Sequence, residues 1–299
     1  MKPTLKINFT DMWGYDNFIF NPRDNYFTDL LSLKYDVVID DNPDVLFYSV
    51  FGNSNRNYNC KKVYFCGENT GNNFKHPSTQ IFDASLTHFE ESDTNYYLPL
   101  WIIFVNWFNK SQPRPLPSNP TYSVPLKSLY ACREPRLRTN FCCFINNNPI
   151  NDRIELFNNL NSYKRVDSYG QLFNNVGQPL RGSEEAKLNV ITQYKFTIAF
   201  ENSYHDGYNT EKIIQPLATN CIPIYSGGSR VKEFFNPNSF IYANDFKSIN
   251  ELAEYVKYVD QNDDLYLKYI KSSPFIDNKI PNLFEPETIL NWLCAKLEI

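Results

Sequence analysis

The chain has 299 residues, 42% of them hydrophobic and 21% charged, with a formal net charge of −4 at pH 7. That length fits about two domains at ~150 residues each, and the apolar content excludes a disordered chain. The charge argues against a nucleic-acid binder, which needs a basic face.

The first half alternates short apolar runs with mixed segments. Thr4–Phe9 reads as a strand, Asn25–Leu33 as a helix, and Tyr35–Ile39, Val45–Val50 and Lys62–Cys66 as strands, with Phe82–Ser85 a further candidate. Such short β-branched and aromatic runs suit strands buried in a parallel sheet. Between Gln112 and Pro125 the chain turns proline-rich, with five prolines, and reads as a linker. The second half repeats the alternation: strands at Asn140–Ile145, Lys164–Asp167, Lys195–Phe200 and Cys221–Tyr225, and helices at Asp152–Asn159 and Thr210–Leu217. Helices then dominate, at Ile249–Val259, Asp263–Ile270 and Glu287–Leu297. The expected architecture is α/β, with two facing Rossmann-like doubly wound domains. Their expected bounds are 1–125 and 126–299, with the option that the final helix packs back on the first domain.

No run reaches the ~20 apolar residues of a membrane helix, and MKPTLKINFTDMWGYDNF lacks the apolar stretch of a secretory signal. A cytoplasmic location is expected if the chain is full length. Seven cysteines with no CxxC read as reduced core thiols, and three histidines without HxxxH or HExxH give a zinc site little support. No strict DxD triplet occurs, so no metal ligands are assigned.

In open parallel sheets, ligands bind beyond the carboxyl ends of the strands. The residues following the predicted strands are polar: Gly67-Glu68-Asn69, Asn146-Asn147-Asn148, Ser168-Tyr169-Gly170 and Glu201-Asn202-Ser203. Thr210 can cap a helix whose first turn holds Glu211 and Lys212. A helix N-terminus suits phosphate, and a lysine at that unfavourable end of the dipole makes sense beside an anion; an ordinary surface lysine is the alternative. Arg153 lies in the first turn of another helix after a strand, able to grip phosphate with two prongs or to pair with Asp152 or Glu155. Glu68 can serve as a general base or merely as a turn residue. GxGxxG, GxxxxGK[ST] and GxSxG are all absent, which counts against dehydrogenases, P-loop NTPases and α/β-hydrolases.

VYFCGENTGNNF (Val63 to Phe74) resembles the strand-plus-GEN motif of the α-1,3-fucosyltransferases. YKFTIAFENSYHDGYNTEKIIQPLATNCIPIYSGG (Tyr194 to Gly228) is similar to that family's signature stretch almost residue for residue, and Phe141 to Gly170 looks like the segment between the two. The resemblance implies a GT-B fold and inverting transfer of L-fucose from GDP-β-L-fucose to a glycan hydroxyl, with no cofactor and no essential metal. It implies an acceptor-binding first domain and a donor-binding second domain. Glu68 matches the family's general base, Arg153 and Lys212 its diphosphate contacts, and Glu211 a residue that holds the fucose. Asn202 and Tyr208 match donor contacts. Lys187 and Asn146, Asn147 and Asn148 lie where nucleotide contacts fall, and Gly67, Asn69 and Thr210 accompany them. The implied partners are GDP-fucose and an oligosaccharide or glycoconjugate acceptor, α-1,3-linked at N-acetylglucosamine or glucose. Departures fall on the acceptor side: Asp11-Met12 stands where relatives often show Asn-Trp, and Tyr97 where an arginine is common. A GT-B transferase for another nucleotide sugar, or an inactive glycan-binding relative, remain the alternatives.

Overall fold

The computed structural model describes residues 1–15, 18–68, 77–111, 122–130, 137–180 and 184–299. Most of the Gln112–Pro125 linker and the site candidate Asn69 lie outside the described residues. The chain forms two compact units, one of residues 1–122 with 281–299 and one of residues 123–280. The second unit therefore ends at Ile280 rather than at the last residue, and the closing helix Pro286–Leu297 belongs to the first unit.

The first unit is built on a six-stranded sheet in the order Asp36–Ile39, Thr4–Thr10, Val45–Tyr48, Lys61–Cys66, Ala84–Thr87, Asn95–Tyr97. Each neighbouring pair is parallel, from Leu5 opposite Val37 to Leu86 opposite Tyr96. Val45–Tyr48 is buried at every position, as expected of strands covered on both faces. Helix Tyr26–Ser32 starts where expected because Asn25 accepts the Phe27 and Thr28 amides, each at 3.0 Å. The strand expected at Phe82–Ser85 lies two residues later, at Ala84–Thr87. Its polar residues are buried because the Ser85 and Thr87 hydroxyls donate to Asn95 Oδ1 at 2.8 and 2.7 Å. Tyr97, one of the departures from the family pattern, is fully buried and is a core residue.

The second unit carries a five-stranded parallel sheet in the order Val166–Ser168, Asn140–Phe144, Tyr194–Phe200, Ile222–Ser226, Ile241–Tyr242. In both units the first strand in sequence lies between the second and the third. That reversal leaves a topological switch point at the carboxyl ends of the first and third strands, where doubly wound sheets bind ligands. All seven residues of Tyr194–Phe200 are buried. Helices Asn151–Tyr163, Glu184–Ile191, Glu211–Ala218, Ile249–Gln261 and Asp263–Lys271 pack around the sheet, with Ser248 and Asn262 capping the last two. Helix Glu184–Ile191 was not anticipated: only Ile191 in it is buried, so its sequence carries no clear apolar stripe.

Candidate functional site

In the second unit the switch point lies between the ends of Asn140–Phe144 and Tyr194–Phe200, and Arg153 reaches across it. The residue is fully buried in the first turn of helix Asn151–Tyr163. Its guanidinium donates to the Asn148 carbonyl at 3.2 Å, to Asn202 Oδ1 at 2.9 Å and to the Phe200 carbonyl. These are neutral oxygens, so the surface ion pair with Asp152 or Glu155 does not form. Burial pulls the Arg153 pKa below the usual guanidinium range, opposed by Glu201, Tyr208 and Glu211; an arginine nonetheless stays charged. Its Nε is buried without a hydrogen-bond partner among the described residues. A buried cation held by neutral groups is poised to receive an anion.

Beside it stands the start of helix Glu211–Ala218. Thr210 caps it, its hydroxyl accepting the Lys212 amide at 3.4 Å. Lys212 is no surface lysine: its side chain is 18% exposed, with Nζ 3.3 Å from Glu201 Oε2 and 3.3 Å from Glu211 Oε1. Burial disfavours its charge, but Glu211 and Glu201 more than offset that and hold the ammonium above the usual lysine range. Burial likewise works against the Glu211 carboxylate; Lys212, Lys187, its own amide and the Thr210 hydroxyl overcome it and keep the group well below the ordinary carboxylate range. Lys187 reaches Glu211 Oε1 at 3.4 Å. Lys187 also pairs with Glu184 Oε2 at 3.9 Å, so three cations (Arg153, Lys187, Lys212) stand among three carboxylates (Glu184, Glu201, Glu211) at a helix N-terminus.

Glu201 is the residue that sequence reasoning left without a role. It is buried, and its carboxylate receives the Thr210 amide at 2.8 Å, the Thr210 hydroxyl at 2.8–2.9 Å and the Lys212 ammonium at 3.3 Å. The Tyr225 hydroxyl lies 3.0 Å from it and 2.8 Å from Asn209 Oδ1. The available signal was its place directly after a buried strand; its partners Thr210, Lys212 and Tyr225 come to it only through the fold.

A cavity of about 80 Å³ opens here, lined among others by Asn146, Lys187, Thr197, Glu211, Lys212 and Gln215. Asn146 is buried, and its carbonyl packs so close to Gly170 that a Cβ there would lie 2.0 Å from it. Asn147 is turned to the Gln171 amide, 2.8 Å away, and does not line the cavity. Tyr208 is buried and acts electrostatically on Arg153 and Lys212. Thus Arg153, Lys187, Asn202, Tyr208, Thr210, Glu211, Lys212, Asn146 and Asn148 gather in one unit.

In the first unit, Glu68 follows strand Lys61–Cys66 by two residues and lines a cavity of about 90 Å³ with Gly67, Trp13, Phe51, Phe65 and Leu100. Its neighbour Cys66 is buried and its thiol pushed up to about 11 by that burial, so it stays protonated. Among the described residues no three His, Cys, Asp or Glu side chains gather as a metal site, and no helix is long and apolar enough to cross a membrane.

With this geometry in hand, comparison with known proteins is direct. The model of the glycosyltransferase family 10 (fucosyltransferase) C-terminal region matches residues 135–296. This chain belongs to glycosyltransferase family 10. The α-(1,3)-fucosyltransferase FucT N-terminal domain matches residues 7–104. The α-(1,3)-fucosyltransferase FucT of Helicobacter pylori is 31% identical over 301 residues, covering 91% of this chain and 60% of that enzyme. A putative fucosyltransferase of Acanthamoeba polyphaga mimivirus is 36% identical over 148 residues, 47% of this chain and 25% of its own. The chain thus spans 60% of the length of the first of these relatives and 25% of the second. A crystal structure of an α1,3-fucosyltransferase with GDP-fucose matches with a TM-score of 0.74 at 26% identity, over 100% of this chain and 92% of that one. The fold is GT-B.

Proposed function

We propose that this family 10 chain transfers L-fucose from GDP-β-L-fucose to a glycan hydroxyl with inversion, forming an α-1,3 linkage to N-acetylglucosamine or glucose of a lactosamine- or lactose-type acceptor. One observation carries the donor side: buried Arg153 and the Lys212 ammonium converge with a capped helix N-terminus at the switch point of the second unit. The bound nucleotide sugar of the matched α1,3-fucosyltransferase structure supports the choice of donor.

In this reading Glu68 removes the acceptor hydroxyl proton as that oxygen attacks the anomeric carbon. The C–O bond to the diphosphate breaks as the new glycosidic bond forms on the opposite face, and GDP departs. Negative charge builds on the leaving diphosphate. Arg153, Lys212 and the positive end of the dipole of helix Glu211–Ala218 offset it, the task a divalent cation performs elsewhere; no metal is therefore required. Glu211, kept ionised by Lys212 and Lys187, faces the positive charge that develops on the sugar ring.

The test is a product assay in the presence of a chelator, with GDP-fucose and GDP-mannose in parallel and lactose and N-acetyllactosamine as acceptors. An α-linked fucosyl product from the β-linked donor is expected, with no transfer from GDP-mannose. A β-linked product would refute inversion, and preferential use of GDP-mannose would establish the rival donor.

A further inference from the structure

The Glu68 cavity is unlike the donor cavity in chemistry. Its walls include Trp13, Phe51, Phe65, Leu100, Ile103 and Phe104, and among the described residues Glu68 is its charged lining residue. Phe65 and Ile103 are buried, while Phe51 is 38% exposed at the mouth. The ring of Trp13 packs on Phe65 with centroids 5.9 Å apart. Ser49 also lines the space, but its hydroxyl donates to the Phe65 carbonyl at 2.8 Å. A polar substituent entering beside Glu68 would lose water to phenyl and aliphatic walls.

The mouth of this cavity is set by Asp11. Its carbonyl accepts the Phe51 amide at 3.1 Å, and its two carboxylate oxygens accept the Ser54 and Asn55 amides at 3.0 and 2.9 Å. The residue adopts a left-handed backbone with φ of 55°, a cost for a non-glycine residue that these three bonds offset. Gly52 is required beside it, since a Cβ there would lie 2.1 Å from Asp11 Oδ1. Asp11 thus fixes both the turn that carries Phe51 and the start of the stretch that carries Trp13.

Resting on the fucosyl-transfer reading above, we infer that this cavity is an acceptor subsite for the acetamido methyl on the carbon next to the attacked hydroxyl, and that Asp11 positions its wall. The argument is one of adjacency. The hydroxyl that Glu68 deprotonates must lie against its carboxylate, so the substituent on the neighbouring ring carbon falls in the same cavity. An acetamido group offers those walls a methyl; a bare hydroxyl offers them a group needing a partner. Asp11 touches no substrate and acts through the position of Phe51.

The experiment compares kcat/KM for N-acetyllactosamine and lactose, with GDP-fucose as donor, in the unaltered chain and in Phe51→Ala, Asp11→Ala and Asp11→Asn. The unaltered chain should favour N-acetyllactosamine by about 10–200-fold, the range one methyl-sized group gives in an apolar pocket. Phe51→Ala should bring that ratio down several-fold with the KM for GDP-fucose within twofold. Asp11→Ala should do the same, and Asp11→Asn, which keeps one accepting oxygen, should restore part of the ratio. Phe51 is partly exposed, so its variant carries the test if Asp11→Ala fails to fold. Equal use of both acceptors by the unaltered chain overturns the subsite alone; an unchanged ratio in Phe51→Ala does the same. Unchanged ratios in Asp11→Ala remove the role of Asp11. Turnover of neither acceptor, with GDP still bound, overturns the transfer reading and the inference with it.

Discussion

The Glu201 carboxylate holds Thr210 twice, taking both its backbone amide and its hydroxyl within 2.9 Å. Thr210 is also the cap of helix Glu211–Ala218, whose first turn supplies Glu211 and Lys212. One buried acid therefore orients the whole charged end of that helix. Glu201→Gln should keep the shape, remove a charge from beside Lys212 and weaken the tie to Thr210. A loss of about 1–3 kcal/mol is expected, the scale of a buried charged hydrogen bond. Thermal melting should show a fall of roughly 2–4 °C per kcal/mol for a unit of this size. An unaltered melting curve would deny Glu201 this role.

Lys212→Ala should reduce GDP affinity by roughly 10- to 150-fold, the equivalent of a charge-assisted hydrogen bond of about 1.5–3 kcal/mol. Titration calorimetry with GDP measures this directly. If affinity is unchanged, the lysine serves only to neutralise Glu201 and Glu211.

Glu68→Gln should lower turnover by about 100- to 10,000-fold, the usual worth of a positioned general base. GDP binds in the other unit on this reading, so its affinity should stay within about twofold. Wild-type turnover in this variant would take Glu68 out of the mechanism.

The ionic cluster also has a pH signature. Glu211 is held below its ordinary value of 4.5, so in the unfolded chain it binds protons more readily than in the folded one. Its contribution to stability is present above about pH 4.5 and drains away as pH falls below that. Lys212 is raised above its ordinary 10.5, so its contribution is present below that value and is lost only at more alkaline pH. Glu211→Gln should therefore flatten the decline in melting temperature on acidification below pH 4.5, while leaving its slope near neutrality unaltered. Parallel declines in both proteins would contradict the assignment.

The sequence made the donor half largely readable because its elements obey local rules. Tyr194–Phe200 is mostly apolar and buried throughout, and Thr210 is a cap residue at a cap position. Arg153 and Lys212 were legible as cations at helix starts; that one is fully buried and the other doubly ion-paired was not, because burial depends on neighbours distant in sequence. Glu201 escaped for the same reason. Helix Glu184–Ile191 escaped because its exposed pattern carries no stripe, although it delivers Lys187 to Glu211. In the first unit, Asp11 looked like a departure from the family pattern with unknown effect. Its meaning emerged only from the three amides it holds.

The first unit is discontinuous in sequence. Helix Pro286–Leu297 buries Ile289, Leu290, Leu293 and Leu297, and Cys294 Sγ lies 3.6 Å from the Tyr35 hydroxyl. Just before it, Phe284 packs edge-on against Trp101 and the Leu283 carbonyl accepts the Tyr96 hydroxyl at 2.6 Å. During translation, the unit that carries Arg153 and Lys212 has all its residues in hand while the Glu68 unit still lacks its closing helix. The half that carries Glu68 must wait on the ribosome for residues made after the whole of the other half, so a nascent chain has its Arg153–Lys212 cluster complete before the helix that closes the Glu68 unit exists.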